Sequence, residues 1–315
     1  KIKMDLELNF EDVVNSYNRI QKYIKNTSLI SNQEINNEIK ANIFFKCDNF
    51  QETRSFKARG AFNAILSYKE KNNKFPEKIV AVSSGNHAQA IAYACNVFKI
   101  KALIYMDKNV LKSKIDATKS WGAEVVLCEN RAQANSESEE KIKEGYFFIH
   151  PSDNDDVILG QATACYEALI SQGEFDAIFA PVGGGGLIAG AYLAAQGLSK
   201  NAKIIGCEPA IANDAALSLK NNEIFSFDKS PQTIADGART LAVSDRCFYY
   251  LKKISQIIEV SEEEIRYWHE NFIAITKIKI EPTSALAIAG AKKYVEKNYS
   301  TELKKILVII SGANS

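Results

Sequence analysis

Five short stretches of this chain carry residue types that can do chemistry. Lys57 follows Ser55-Phe56 and precedes a run of small residues. A partly desolvated lysine amine becomes neutral and nucleophilic, as a Schiff-base lysine requires; otherwise such a lysine is a surface residue lying along an apolar face. Ser84-Gly-Asn-His87 opens a helix with polar side chains and free N–H donors. That suits a carboxylate or a polar ring substituent, and also an ordinary helix cap. Gly183 to Gly186 are four glycines between an apolar strand and a helix. They form either a tight turn or a cup whose backbone N–H groups meet an anion at a helix N-terminus. Glu208 and Asp214 flank a loop that also offers backbone carbonyls, including that of Ala212. Hard oxygens at this spacing suit Mg²⁺ or Ca²⁺, and equally a solvated loop with a capping acid. Ser311 follows a buried strand as a hydrogen-bonding group or a plain strand terminator.

Two nucleotide motifs fail on the glycines. Gly183-x-Gly185 would need glycine at 188, where Ile188 stands, and no Lys-Ser/Thr pair follows for a Walker loop.

The elements that must hold these residues alternate. Strands are expected at 43–47, 79–83, 102–106, 124–128, 146–149, 176–182, 203–207 and 306–310. Helices are expected at 63–71, 88–98, 113–121, 133–144, 156–171, 187–195, 214–220 and 261–276, and from 281. Asn9 caps a first helix whose apolar residues run from Phe10 to Ile24, and Ser261 with Glu264 forms a capping box. Residues 221–240 read as irregular. Strands separated by helices predict parallel sheets covered on both faces. Ser83/Ser84, Gly183 to Gly186, Glu208 and Ser311 fall just beyond predicted strand ends, where ligands of such sheets bind.

Composition narrows the classes. The 315 residues are 46% hydrophobic and 24% charged, with a net charge of +1. No long basic block points to nucleic acid or an anionic membrane, and no apolar run reaches membrane-span length. Residues 1–7 lack the apolar core of a signal peptide. The six cysteines are scattered without a C-x-x-C pair, so reduced thiols in a cytoplasmic protein are expected.

Seven segments in register resemble the fold-type-II pyridoxal 5′-phosphate enzymes, specifically the serine/threonine dehydratase and serine racemase group. They are Ser55-Phe-Lys-Ala-Arg-Gly-Ala61, Ser83-Ser-Gly-Asn-His-Ala-Gln89, Ser113-Lys-Ile-Asp-Ala-Thr118, Gly183-Gly-Gly-Gly-Leu187, Thr233-Ile-Ala-Asp-Gly237, Glu281-Pro-Thr-Ser284 and Ser311-Gly-Ala-Asn314. The resemblance implies two three-layer α/β domains with mainly parallel sheets, of the tryptophan synthase β-like kind. Residues 1–76 together with 151–315 would form a large cofactor-binding domain, and 77–150 a small substrate-side domain. Lys57 would hold the cofactor and later move the α-proton. Phe56 would lie against the pyridine ring, Asn86 would hydrogen-bond the 3′-oxygen, and Gly183, Gly184, Gly185 and Gly186 would cradle the phosphate. Ser311 would contact the pyridine nitrogen and leave it largely unprotonated, so that loss of a β-hydroxyl competes well with reprotonation. Ser83, Ser84, Asn86 and His87 would border the substrate. Glu208, Ala212 through its carbonyl, and Asp214 match the divalent-metal loop of racemase-like members.

The implied reaction converts L-serine, L-threonine or a related β-hydroxy amino acid to a 2-oxo acid and ammonia. Ser84 stands where racemases of the group keep a second acid/base, which holds serine racemisation open; Leu241 replaces a serine usual there. Arg239 or Arg131 would suit the extra carboxylate of threo-3-hydroxyaspartate. β-Replacement enzymes typically show Thr-Ser-Gly-Asn-Thr-Gly where this chain has Ser83-Ser-Gly-Asn-His-Ala88, and an intact Lys57 argues against a non-catalytic pyridoxal-phosphate-binding protein. A regulatory domain beyond residue 315 is not expected, and a homodimer is expected by analogy.

Overall fold

The computed structural model describes residues 7–298 and 304–314. The first six residues and Ser315, which bear on the expectations for the chain's two ends, lie outside the described residues. Two sheets organise the rest. Strands β1 (Leu29–Ile30) and β2 (Asn42–Cys47) are separated by α2 (Gln33–Ile39), and α1 (Phe10–Ile20) precedes them. Helix α3 (Lys57–Asn72) then leads into β3 (Lys78–Val82), α4 (Asn86–Phe98), β4 (Lys101–Asp107), α5 (Lys112–Ser120), β5 (Glu124–Cys128), α6 (Arg131–Lys143) and β6 (Phe147–Phe148). These four strands pair in the order β5-β4-β3-β6, all parallel.

The chain continues as α7 (Asp155–Gln172), β7 (Ala177–Pro181), α8 (Gly186–Leu198), β8 (Lys203–Pro209), α9 (Asp214–Asn221), α10 (Asp245–Leu251), β9 (Gln256–Val260), α11 (Glu262–Thr276), α12 (Pro282–Lys297) and β10 (Lys305–Ile310). The larger sheet has the order β1-β2-β10-β7-β8-β9 and is parallel except for the β1–β2 pair. The expected α/β class with mainly parallel sheets is what the chain adopts. The last strand lies in the middle of that sheet, with Ile306 opposite Ile43 on one side and Ala177 on the other. Its apolar run is buried on both faces, which is why Ile306 to Ile310 carries no polar alternation. The carboxyl ends of three adjacent strands therefore deliver Asp48, Ser311 and the glycine run to one edge.

Both expected helix caps form. Asn9 closes a capping box with Asp12, and Ser261 with Glu264. Helix α3 differs from expectation: it begins at Lys57, six residues before the apolar period becomes readable. Its start is fixed from outside by close packing on α7. A Cβ on Gly160 would lie 2.5 Å from the Arg59 carbonyl oxygen, and the Gly60 N–H donates to Gln161 Oε1 at 3.1 Å.

An ion network buries itself in the same place. The Arg59 guanidinium donates to Asp48 at 2.6 and 2.9 Å and to Glu167 at 2.9 and 2.7 Å. Lys46 Nζ donates to Glu167 Oε2 at 2.6 Å and to the Thr27 carbonyl at 2.6 Å. The Arg59 and Asp48 side chains are 0% exposed. Two cations face two anions, and this pairing holds Asp48 below the usual carboxylate range despite its burial. Arg59→Leu would leave buried Asp48 without its bonded cation and Glu167 with Lys46 alone, and we expect it to lower unfolding free energy by about 3–5 kcal/mol in urea melts, whereas a surface pair such as Lys112–Asp116 should cost under about 1 kcal/mol.

Candidate active site

Lys57 sits at the first position of α3, where the backbone is tied to the end of β10. The Phe56 N–H donates to the Ser311 carbonyl at 3.0 Å, and Ser55 bridges to Gly312. The lysine does not lie along an apolar surface. Its amine donates to the Pro151 carbonyl at 2.8 Å and stands 5.0 Å from the centre of the Phe56 ring. The side chain keeps some opening to the cleft, yet desolvation by the surrounding protein pushes the amine down to about 8, against the opposing pull of Cys247 and Glu281.

The four glycines make the turn from β7 into α8. Gly185 has φ +94°, the left-handed region that glycine reaches without strain, and caps α8 with no side-chain acceptor. Its neighbours leave no room for side chains. A Cβ on Gly183 would lie 2.5 Å from the Gly237 carbonyl oxygen, one on Gly184 2.3 Å from Ser152 Oγ, and one on Gly185 2.8 Å from Cys247 Cβ. Uncapped N–H groups at the start of a 13-residue helix make a place for an anion. Ser152 and Pro151 thus wall the site, and neither is singled out by the sequence. Their nearest sequence signal is their place directly after the strand at 146–149.

Helix α4 starts at Asn86 behind Gly85, which has no side chain, and no side chain accepts from its first turn. An ordinary side-chain cap is therefore not what Ser84-Gly-Asn-His87 forms. The Ser83 Oγ accepts from Gly85 N–H at 3.3 Å. Ser84 makes no side-chain hydrogen bond among the described residues and is half-buried. His87 is buried; its Nε2–H donates to the Ile149 carbonyl at 2.9 Å, and Nδ1 is left without a partner. Burial and the nearby Lys57 push its pKa down to about 3, so the ring is neutral and its backbone N–H, not its ring, is what can meet an anion.

Asn86 leads to a residue that the sequence motifs include without a role. Its Nδ2 donates to both Glu281 oxygens at 3.1 Å. Ser311 Oγ stands 3.0 Å from Ser284 Oγ and 3.4 Å from Glu281 Oε1. Burial pushes the Glu281 carboxyl up to about 7, with Asp236 adding to the rise while Asn86, Asn314 and Lys114 oppose it. The structure thus brings Lys57, Phe56, Ser311 and Glu281 to one junction, with Asn86 hydrogen-bonded into it.

Glu208 and Asp214 also meet, and they do not form a solvated loop. Both are buried, and Glu208 accepts from the Ala215 and Ala216 N–H groups at 3.1 and 2.8 Å, capping α9 from outside. Asp214 Oδ2 has no partner. Burial raises Glu208 to about 8 and Asp214 to about 7. Ala212 is buried in the same loop. Among the described residues no group of three or more His, Cys, Asp or Glu side chains is arranged to hold a metal. Arg131 and Arg239 are exposed. All six cysteines are free and buried, and no described helix is long and apolar enough to cross a membrane.

The chain is similar to known proteins over most of its length. The profile of the family described as "Pyridoxal-phosphate dependent enzyme" matches residues 20–312. The chain is 37% identical to the serine racemase of Schizosaccharomyces pombe over 308 residues, 97% of this chain and 94% of that protein. It is 36% identical to the L-threo-3-hydroxyaspartate ammonia-lyase of Saccharomyces cerevisiae over 312 residues, 97% and 93% of the two chains. Among solved structures, the processed form of threonine deaminase isoform 2 from Solanum lycopersicum superposes with a TM-score of 0.90 at 30% identity, covering 97% of this chain and 84% of that one.

The lowered Lys57 amine has a direct signature. In protein stripped of small molecules, an amine-directed acylating reagent should label Lys57 half-maximally near pH 8, because the nucleophilic neutral form predominates above that pH. A half-point near the ordinary 10.5, read by peptide mass spectrometry, would contradict the assigned desolvation.

Proposed function

Because the chain belongs to the pyridoxal-phosphate dependent enzyme family, in its lyase and racemase group, we propose that it is a dehydratase (ammonia-lyase) acting on L-serine, L-threonine or a related β-hydroxy amino acid. The observation that carries this reading is the desolvated, pKa-lowered Lys57 amine at the junction of the glycine cup, Ser311 and the uncapped α4. The residues fit the cofactor. Lys57 would bind its aldehyde carbon, the glycine run, where Gly183, Gly184 and Gly185 leave no room for a Cβ, would take its phosphate, and the Ser311 hydroxyl would meet its ring nitrogen. When bound, the cofactor supplies an electron sink that acidifies the α-proton of an amino acid.

Every other task falls to side chains and backbone of this chain. The free N–H groups of Asn86 and His87, with Ser83 and Ser84 beside them, would hold the substrate carboxylate. Lys57, whose amine needs little driving force to lose its proton near pH 8, would take the α-proton. The β-hydroxyl would leave with a proton as water, and a second water would hydrolyse the released 2-aminoalkenoate to the 2-oxo acid and ammonia, pyruvate from serine or 2-oxobutanoate from threonine. Ser311 would offer the ring a neutral hydroxyl and no carboxylate of its own, which would favour elimination over long-lived charge delocalisation.

A second reading has a specific observation behind it. The Ser84 hydroxyl has no partner among the described residues, as an acid/base for racemisation must be free to act, and the chain is similar to serine racemases. A threo-3-hydroxyaspartate dehydratase is favoured by the likeness to ammonia-lyases of that substrate, with Arg131 or Arg239 for its second carboxylate. The same proposal includes a Mg²⁺ or Ca²⁺ at Glu208, Asp214 and the Ala212 carbonyl, supported by the unpartnered Asp214 Oδ2. It also includes a large cofactor-binding unit of 1–76 with 151–315, a small unit of 77–150, and a cytoplasmic homodimer.

A panel of L-serine, D-serine, L-threonine and threo-3-hydroxyaspartate, scored for 2-oxo acid and for the α-epimer, separates these readings. Ser84→Ala should cut epimer formation by about 100-fold or more while ammonia release from L-serine persists; loss of both would show that Ser84 has another role. Mg²⁺ should raise the melting temperature at pH 8 in the unaltered protein and not in Asp214→Asn, since a deprotonated ligand set is required. An equal shift in both proteins would remove the metal from this loop.

A further inference from the structure

Glu281 and Asn314 together decide which way the Asn86 amide faces. Asn314 Nδ2 donates to Asn86 Oδ1 at 3.0 Å and to the Thr53 carbonyl at 2.7 Å, so both of its N–H groups are committed and its own orientation is fixed. The Asn314 backbone N–H donates to Glu281 Oε2 at 3.2 Å. Glu281 in turn receives Asn86 Nδ2 evenly on its two oxygens. The carboxylate is held in place by the backbone behind it, where a Cβ on Gly312 would lie 2.9–3.0 Å from its atoms. An amide has a donating and an accepting end. With Glu281 ionised, as it is above about pH 7, reversing Asn86 would set its oxygen against the carboxylate and its nitrogen against the Asn314 nitrogen. One Asn86 N–H is used on Glu281, and a second is left over.

We propose that Glu281 and Asn314 are positioning residues that act through Asn86: they lock its amide so that an N–H, not the oxygen, is offered to the cofactor. The inference rests on the reading of Asn86 as a cofactor contact. A donor at that point stabilises an anionic ring oxygen over its protonated form, whereas a reversed amide would favour the protonated one. The lock therefore selects the ionic form of the bound cofactor and strengthens its binding.

A double-mutant cycle tests this with cofactor affinity and the visible absorption spectrum, both independent of turnover. Asn86→Ala and Glu281→Gln should each raise the pyridoxal phosphate dissociation constant about tenfold, the loss of one charge-assisted hydrogen bond, and shift the pH dependence of the visible band. In the double variant Glu281→Gln should add little, because its partner is gone. Full additivity in the double variant would overturn the positioning role while leaving Asn86 a cofactor contact. An unchanged affinity in Asn86→Ala would instead overturn the reading on which the inference rests. Should Glu281→Gln not fold, Asn314→Ala enters the same cycle with the same expectation and the same contradicting result.

Discussion

A single buried salt-bridge network anchors the helix whose first residue is Lys57. Arg59 lies two residues after Lys57, and its guanidinium is enclosed by Asp48 from the end of β2 and Glu167 from α7. Burying four charged groups costs solvation that only close, complete pairing offsets. The network is complete: Lys46 supplies the second cation, and Thr27 and Thr163 fill remaining hydrogen-bonding positions. An arrangement with so few ways to be satisfied fixes the rotation and start of α3. Lys57, at the first position of that helix, inherits its direction from charges that never touch a ligand.

The same logic extends across the site. The Lys57 turn and the glycine run are held by backbone, while Asn86 and Ser311 are held by neighbouring side chains. The Lys57 turn is tied to Ser311 and Gly312 by main-chain hydrogen bonds, the glycine cup is walled by Gly237 and Ser152, and α4 starts at an uncapped glycine. The N-termini of α4 and α8 carry no side-chain cap, as is also true of α3, α5, α10 and α12, whereas α1 and α11 carry full capping boxes; what sets α4 and α8 apart is that they start just beyond the strand ends at the site. Leaving those donors free lowers local stability and keeps them for anions. A carboxylate and a phosphate are the two anions that an amino acid and pyridoxal phosphate bring.

Much of this is legible before any coordinates. The parallel class follows from apolar runs such as Ile306 to Ile310 separated by helical periods, and the site follows from residues just beyond strand ends. Lys57, the four glycines and Asn86 each leave a bland reading open when taken alone, and their expected roles come from the seven segments standing in register. What escapes reading depends on partners distant in sequence. Lys57 reads as preceding its helix because the turn is set by Arg59 with Glu167, 108 positions on. Glu281 looks like a helix start, and its contact with Asn86 spans 195 positions. Ser152 has no motif at all and matters only because Gly184 packs on its hydroxyl. Strand β9, Gln256–Val260, escapes because an edge strand with half-exposed residues lacks the continuous apolar run of its neighbours. Helix α10, Asp245–Leu251, is too short for its period to declare itself.

The central claim is that Lys57 is the residue that binds pyridoxal phosphate, aimed by a network it does not belong to. Borohydride reduction of the holoenzyme followed by peptide mapping tests it most directly. One stoichiometric reduced cofactor on the peptide containing Lys57 is the predicted result, with no adduct in Lys57→Ala. A reduced cofactor on any other lysine, or an unchanged adduct in that variant, would contradict the account.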